Sequence, residues 1–422
     1  MMRQTHYETL FVARQPVLDT ARNTWGYFHY YRRCMEHTYS EFTDPVQATL
    51  SVIQCLPACM DTCALPHKAL IHLPGPALMA GVPKALGAGC VLPVLAHDDL
   101  LDPDYLEALK GLRAEGYELA LDLADPLPPD SPLLDLVNIV ILDMRDPAGG
   151  PNGLAATARE LSARGLTLLA KRVESFEAER LARSLGCTLF AGHFFREPQT
   201  LTQRKVSAAE TTRMNLLNLL SNPEPPTDRL VAAIEADASV SYRVLGMLNS
   251  AHFGLLKKVS SVRQAVLLAG WTQLSAWLRV MVMADMTPST KARQLLHLSA
   301  QRAKFFELLA VASERRDQAD CLFLLGLLSL LPAMLDMPMD RVLAKLALDD
   351  DMRAGLCGQP GLYAPWLGMA QAIEDTRWDD MAEYALKLSL PTGSVAEAYN
   401  ASFQWADRLL SALPGAVGRT RP

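Results

Sequence analysis

Three carboxylates, Asp122, Asp143 and Glu174, close three separate apolar runs in the first half of this 422-residue chain. Arg32, His72 and His193 hold similar places at the ends of other runs. Carboxylates gathered from different strands could hold a divalent ion, and a hard cation of that kind takes about six oxygen ligands, some from water. A plainer reading stands beside this one. In it Asp122 and Asp143 cap loops or helix starts, and Glu174 pairs with Lys171 or Arg172. The matching positions on other strands are apolar (Phe28, Pro93, Leu123, Ile141 and Ala191), which favours the plainer reading.

Either reading needs strands that end at a common point. Short runs rich in Val, Ile and Leu predict strands over Leu10–Val17, Gly26–Arg32, Ala69–Leu73, Cys90–Leu95, Tyr117–Leu123, Ile139–Met144, Leu166–Val173 and Leu189–Phe195. Helical patterns intervene at Pro45–Cys63, Pro103–Glu115, Leu154–Arg164 and Phe176–Leu185. Strands alternating with helices imply crossover units and a mainly parallel sheet. Runs such as Ile139–Met144 lack polar alternation, as strands covered on both faces do. Eight candidates in about 185 residues predict a (β/α) barrel of TIM type, whose working groups sit at the C-terminal strand ends. An open doubly wound sheet is the alternative, because periodicity alone does not separate the two.

Beyond Phe195 a polar stretch, Arg196–Glu210, reads as a linker with the start of a helix. The rest is helical in pattern, an all-α domain of about ten helices. The apolar run Cys321–Leu335 contains 15 residues, short of the roughly 20 that span a membrane, and predicts a buried helix. Met1–Leu10 has no apolar leader, so the expectation is a cytoplasmic protein whose eight cysteines are mostly reduced. Forty Lys plus Arg against 46 Asp plus Glu give a formal charge of -6, which argues against nucleic acid as a partner. Cys55, Cys59 and Cys63 recur at four-residue spacing but read as small buried thiols, since zinc sites favour tighter turns. Trp271 and Trp277 read as core, and Lys257–Lys258 as a solubilising pair.

The first half resembles the EAL domains, which hydrolyse cyclic di-GMP. The resemblance rests on Arg14-Gln15-Pro16-Val17, on Gly26-Tyr27 with Tyr31-Arg32, on Gly116 to Asp122, on Val173-Glu174, and on Leu189 to Phe195 with Pro198. It covers residues 8 to 200 and implies a barrel of EAL type. It also implies two divalent ions that activate water, and here the chain departs from the family. The family's motif Glu falls at Phe28, its Asn at His72, its third-motif Glu at Pro93 and its second Asp at Leu123. The family's Lys falls at Ile141, its later Glu at Lys171 and its last Gln at Ala191. Asp122, Asp143 and Glu174 remain, too few for a two-metal clamp, and Lys171 is expected to repel a cation. Gln15 and Arg32 match positions that touch the nucleotide in that family.

The second half resembles the HDOD domain, through Asp237, Asn249-Ser250, Gly254, Ser260-Ser261 and Gly270. These read as structural residues: a helix ended by Asn249, a turn at Gly254 and a helix cap at Ser260 or Ser261. Only His252 and His297 occur between residues 201 and 422, too few for the metal site of the related HD phosphohydrolases. The whole resembles EAL–HDOD signalling proteins of the YuxH type. It implies an EAL-like domain over residues 1–198 and an HDOD domain over 199–422, with a linker near 199–210. The expectation is a non-catalytic signalling protein without a cofactor, acting on other signalling proteins or on a second copy, outside any membrane. Two alternatives stay open. One is a cyclic di-GMP receptor using Gln15, Arg32, Asp122, Asp143 and Glu174. The other is a residual metal-dependent phosphodiesterase.

Overall fold

A computed structural model describes residues 10–33, 67–85, 87–89, 91–96, 103–123, 131–145, 150–196, 208–222, 226–235, 240, 244, 261, 271–286, 292–344, 346 and 348–411. Eight strands close a barrel in chain order: β1 (Leu10–Asp19), β2 (Thr24–Arg33), β3 (Lys68–Leu73), β4 (Val91–Ala96), β5 (Ala120–Leu123), β6 (Ile139–Asp143), β7 (Thr167–Lys171) and β8 (Leu189–Ala191). Each overlaps a run expected to be a strand, and the open sheet is excluded. From β2 to β8 every pairing is parallel, but β1 is antiparallel to both β2 and β8. The cause is local. Only Thr20 to Asn23 separate β1 from β2, and a parallel connection needs a dozen or more residues. The Asp19 carboxylate accepts the Asn23 amide at 2.8 Å, and Arg22 turns the chain with a φ of 64°.

The last strand is shorter than its apolar run. Phe194–Arg196 forms a turn of 3-10 helix, and Phe194 and Phe195 are buried there instead. An apolar run announces burial, not conformation. The barrel interior is filled by Val17, Phe28, Leu70, Leu92, Val94, Ala120, Ile139, Ile141, Leu169, Leu189 and Ala191, so it is a core without a channel.

Helices α1 (Gly75–Met79), α2 (Pro103–Ala114), α3 (Gly150–Ala163) and α4 (Phe176–Ser184) follow strands of the barrel. The Ser175 hydroxyl caps α4 by accepting the Ala178 amide at 3.1 Å. Buried Glu179 on α4 is clasped by Arg22 and Arg183, each at 2.8 Å, which ties the β1–β2 hairpin to that helix. The expected helix Pro45–Cys63 lies outside the described residues, and so do its three cysteines.

The second half is helical throughout its described residues. Its helices are α5 (Ala208–Ser221), α6 (Thr227–Glu235), α7 (Trp271–Met286), α8 (Ala292–Ala312), α9 (Ala319–Leu328), α10 (Leu331–Leu335), α11 (Met339–Leu343), α12 (Asp350–Leu356), α13 (Ala364–Glu374), α14 (Trp378–Lys387) and α15 (Thr392–Ser411). The single buried helix expected over Cys321–Leu335 is instead α9 and α10. Pro332 has no N–H to continue a helix and sits in the first turn of a new one. Residues 316–335 are long and apolar enough to cross a membrane, and 67% of the most apolar stretch there is buried inside the chain. Trp277 is buried in the core, as expected.

Arg279 on α7 is 2% exposed, a charge held deep among apolar side chains. Its guanidinium donates twice to the Leu220 carbonyl, at 2.9 and 2.7 Å, and lies over the Phe323 ring. That carbonyl is one of those a helix end leaves without an intrahelical donor. Burial lowers the guanidinium pKa, while Asp320 at 3.6 Å offsets part of that. Arg279→Met should destabilise the helical half by about 3 kcal/mol, by leaving a buried carbonyl and Asp320 without their donor. Denaturant unfolding followed by far-UV circular dichroism measures this.

By its contacts the chain divides into two units. One joins Met1–Phe195 with Ala372–Asp379 and Pro391–Glu397, and the other joins Arg196–Gln371 with Asp380–Leu390 and Ala398–Pro422.

Candidate functional site

Side chains of a strand alternate between faces, so a residue two places beyond an inward one also points inward. Phe28, Leu70, Ala120, Ile141, Leu169 and Ala191 belong to the barrel core. Two places further toward the mouth stand Tyr30, His72, Asp122, Asp143, Lys171 and His193. Because β1 runs the other way, Gln15 reaches the same layer from two places before Val17. The apolar core thus ends in a polar tier, and most of that tier lines a cavity of about 340 Å³. Arg145, Arg172 and Glu174 complete its wall, with Asp375 and Thr376 from a C-terminal segment of the same unit.

One half of the tier is ionic. Lys171 donates to both carboxylate oxygens of Asp122 at 2.8 Å and lies 3.6 Å from Asp143. Asp143 also pairs with Arg172 at 3.2 Å and accepts the Arg145 backbone amide at 3.0 Å. Arg172 takes a left-handed φ of 58°, uncommon for so large a side chain. Glu174 pairs with Arg145, not with Lys171 or Arg172 as the residue pattern suggested. Asp143 does cap the loop after its strand, as expected. Lys171 lies between Asp122 and Asp143, where the residue pattern suggested a pairing with Glu174 or repulsion of a cation.

The other half is aromatic. Phe28, Tyr30 and His72 stack, with Phe28 5.7 Å from Tyr30 and 5.9 Å from His72, and planes within 20°. Burial pushes the His72 imidazole down, Asp122 works against this, and Lys171 adds to it. Burial and Asp122 push the Tyr30 phenol up, so it stays protonated and donates to Gln15 at 3.5 Å. His193 is buried 3.9 Å from Asp375.

These residues do not fit a pair of divalent cations. Both oxygens of Asp122 are taken by an ammonium, Glu174 is held by Arg145, and Phe28 supplies a ring where the resemblance implies a carboxylate. Among the described residues no three His, Cys, Asp or Glu come together as metal ligands. Arg32 pairs with Phe11 across β1 and β2, and its side chain lies outside the described residues. Asp237, Asn249, Ser250, Gly254 and Gly270 lie outside them too, while Ser261 is exposed at a bend. Arg145 went unnoticed in the sequence, and Arg172 was read there only as a partner for Glu174. For Arg172 and Lys171 the signal was there, as two cations closing the otherwise apolar strand Leu166 to Val173.

Comparison with known proteins extends this picture. Residues 207–336 match the HDOD domain family. YuxH of Bacillus subtilis is 27% identical over 419 residues, 96% of this chain and 99% of the relative. The cyclic di-GMP phosphodiesterase CdgJ of Vibrio cholerae is 28% identical over 402 residues, 94% of this chain and 92% of that protein. Among solved structures, the Klebsiella pneumoniae BlrP1 complex with calcium and cyclic di-GMP is 20% identical, with a TM-score of 0.39. That match covers 46% of this chain and 57% of the other. An HDOD match over residues 207–336 thus follows a closed eight-stranded barrel, and relatives align along almost the whole length of the chain.

Proposed function

We propose that this protein is a non-catalytic signalling scaffold in cyclic di-GMP-linked regulation, of the kind that governs motility or virulence. In this reading residues 1–198 form a retired EAL-like barrel, and 199–422 form an HDOD domain that contacts other signalling proteins or a second copy. The observation that carries the proposal is the bidentate grip of Lys171 on Asp122. A two-metal hydrolase needs its carboxylates free to clamp two ions about 3.5–4 Å apart. Here they are committed to cations of the protein's own. CdgJ bears the name of a phosphodiesterase, so activity is the decisive test. Incubation with cyclic di-GMP and Mg²⁺ or Mn²⁺, followed by chromatography, should yield no linear dinucleotide above the blank. Turnover that disappears in Asp122→Asn would refute the proposal.

A second reading, a receptor for cyclic di-GMP, is favoured by the Arg172 and Arg145 guanidiniums. Their side chains are 52% and 56% exposed at the mouth, and a guanidinium pairs bidentately with phosphate. Isothermal calorimetry separates the two readings. The scaffold gives no heat, whereas a receptor gives micromolar binding that weakens at least tenfold in Arg172→Ala.

A further inference from the structure

The carboxylates at the barrel mouth already have a cation. Asp122 and Asp143 project from the ends of β5 and β6 into one tier, and their side chains are only 13% and 15% exposed. Two carboxylates held so close out of water repel, and each alone would be costly to keep charged. Lys171 reaches between them from β7, with its own side chain 17% exposed. The register makes this possible. Asp143 and Lys171 are direct partners across β6 and β7, while Asp122 pairs with Ile141, two places below Asp143. The ammonium therefore stands above β6, within reach of both neighbours. Arg172 adds a second positive charge on Asp143, so the four groups sum to zero.

We propose that Lys171 is a resident cation, covalently tethered where a divalent ion would otherwise sit, and that it makes the mouth of this barrel independent of metal. The inference rests on the non-catalytic reading and deepens it. The charge balance accounts for both the stability of the tier and its refusal of metal. A divalent ion arriving here would have to compete with the ammonium for both oxygens of Asp122 and would add two charges to a neutral cluster. Replacing the ammonium with a neutral chain of similar length leaves two shielded carboxylates without their central counter-charge. That cluster should then recruit a cation from solution.

The test is thermal unfolding of the full-length protein in MnCl₂ or MgCl₂ alone, without nucleotide. The melting temperature of the parent protein should not move in about 5 mM of either salt, since only an ion that binds the folded form raises it. Lys171→Met should melt about 5–10 °C lower without metal, as loss of one partner from a shielded ion pair implies. Mn²⁺ should restore part of that loss. Lys171→Arg, which keeps the charge, should stay near the parent. If Lys171→Met does not fold, the double variant Asp122→Asn with Lys171→Met removes both charges, and it should fold and ignore Mn²⁺. The inference is overturned if Mn²⁺ stabilises the parent protein. It also fails if Lys171→Met melts with the parent or loses stability that no divalent ion restores. A Mn²⁺ response surviving in the double variant would place the ion elsewhere and overturn it as well. Turnover of cyclic di-GMP would sink the underlying reading, whereas an indifferent Lys171→Met would sink this inference alone.

Discussion

Acidification from pH 7 to pH 4 is expected to destabilise the barrel by about 3 kcal/mol through one side chain, His29. His29 follows core residue Phe28 on β2, faces the other side of the strand, and is 5% exposed. Burial pushes its pKa from 6.5 down to about 3, and the charge of Arg14 adds to this. Its Nδ1 lies 3.1 Å from the Tyr27 carbonyl, which opposes the shift without cancelling it. In the unfolded chain the imidazole returns to its ordinary value. Between pH 6.5 and pH 3 the unfolded state therefore binds more protons than the folded state. Stability is full above that window, falls as the pH drops through it, and stops falling below about 3. His72 is shifted in the same direction and contributes with the same sign. Urea unfolding of the parent and of His29→Asn at a series of pH values isolates the His29 part from the carboxylates, which titrate in both. The variant should lose most of the difference between pH 7 and pH 4. An unchanged pH dependence would show that His29 is not sheltered as described.

Gly192→Ala is expected to cost at least about 4 kcal/mol and to leave the barrel largely unfolded. Gly192 follows β8 with a φ of 152°, in a region of backbone space that side chains rarely enter. Crowding is the larger effect. A Cβ there would stand 2.0 Å from the Val173 carbonyl oxygen and 2.7 Å from its nitrogen. Both are backbone atoms, and both are engaged: the Val173 amide donates to the Ala191 carbonyl at 3.0 Å, and its carbonyl accepts the Phe194 amide at 3.2 Å. No flexible side chain can move aside, so the closing strand must shift as a whole. Gly116→Ala is the control. Gly116 is also left-handed, at 89°, but no atom lies within 4 Å of its added carbon, so it should cost only about 1 kcal/mol. Expression yield, circular dichroism and denaturant midpoints of the two variants make the comparison. Equal midpoints would mean that backbone crowding at Gly192 is not what limits the substitution.

The amino-acid pattern alone determined where most strands and helices lie, though not all of their ends. Runs such as Ile139 to Met144 have a strand's length and β-branched content, and the helical half shows 3.6-residue periodicity broken at Gly and Pro. These signals are local, each confined to about ten residues. The resemblance to EAL domains, not these signals, exposed the deficit at the mouth, since Phe28 and Leu123 stand where it implies carboxylates. Even the reversal of β1 was legible in principle from the eight residues between the expected strands Leu10–Val17 and Gly26–Arg32, too few for a crossover.

Only the folded chain could assign partners. Lys171 meets an Asp122 that lies 49 residues earlier, and Arg145 meets a Glu174 that lies 29 residues later. Such pairings follow from the register of β5, β6 and β7, which no local pattern fixes. A slip of two residues along β7 would carry the ammonium out of reach while leaving every periodic signal intact. Electrostatic sign also reverses with position: the same lysine that would repel an ion at the rim becomes, once centred between two shielded carboxylates, the charge that holds them together.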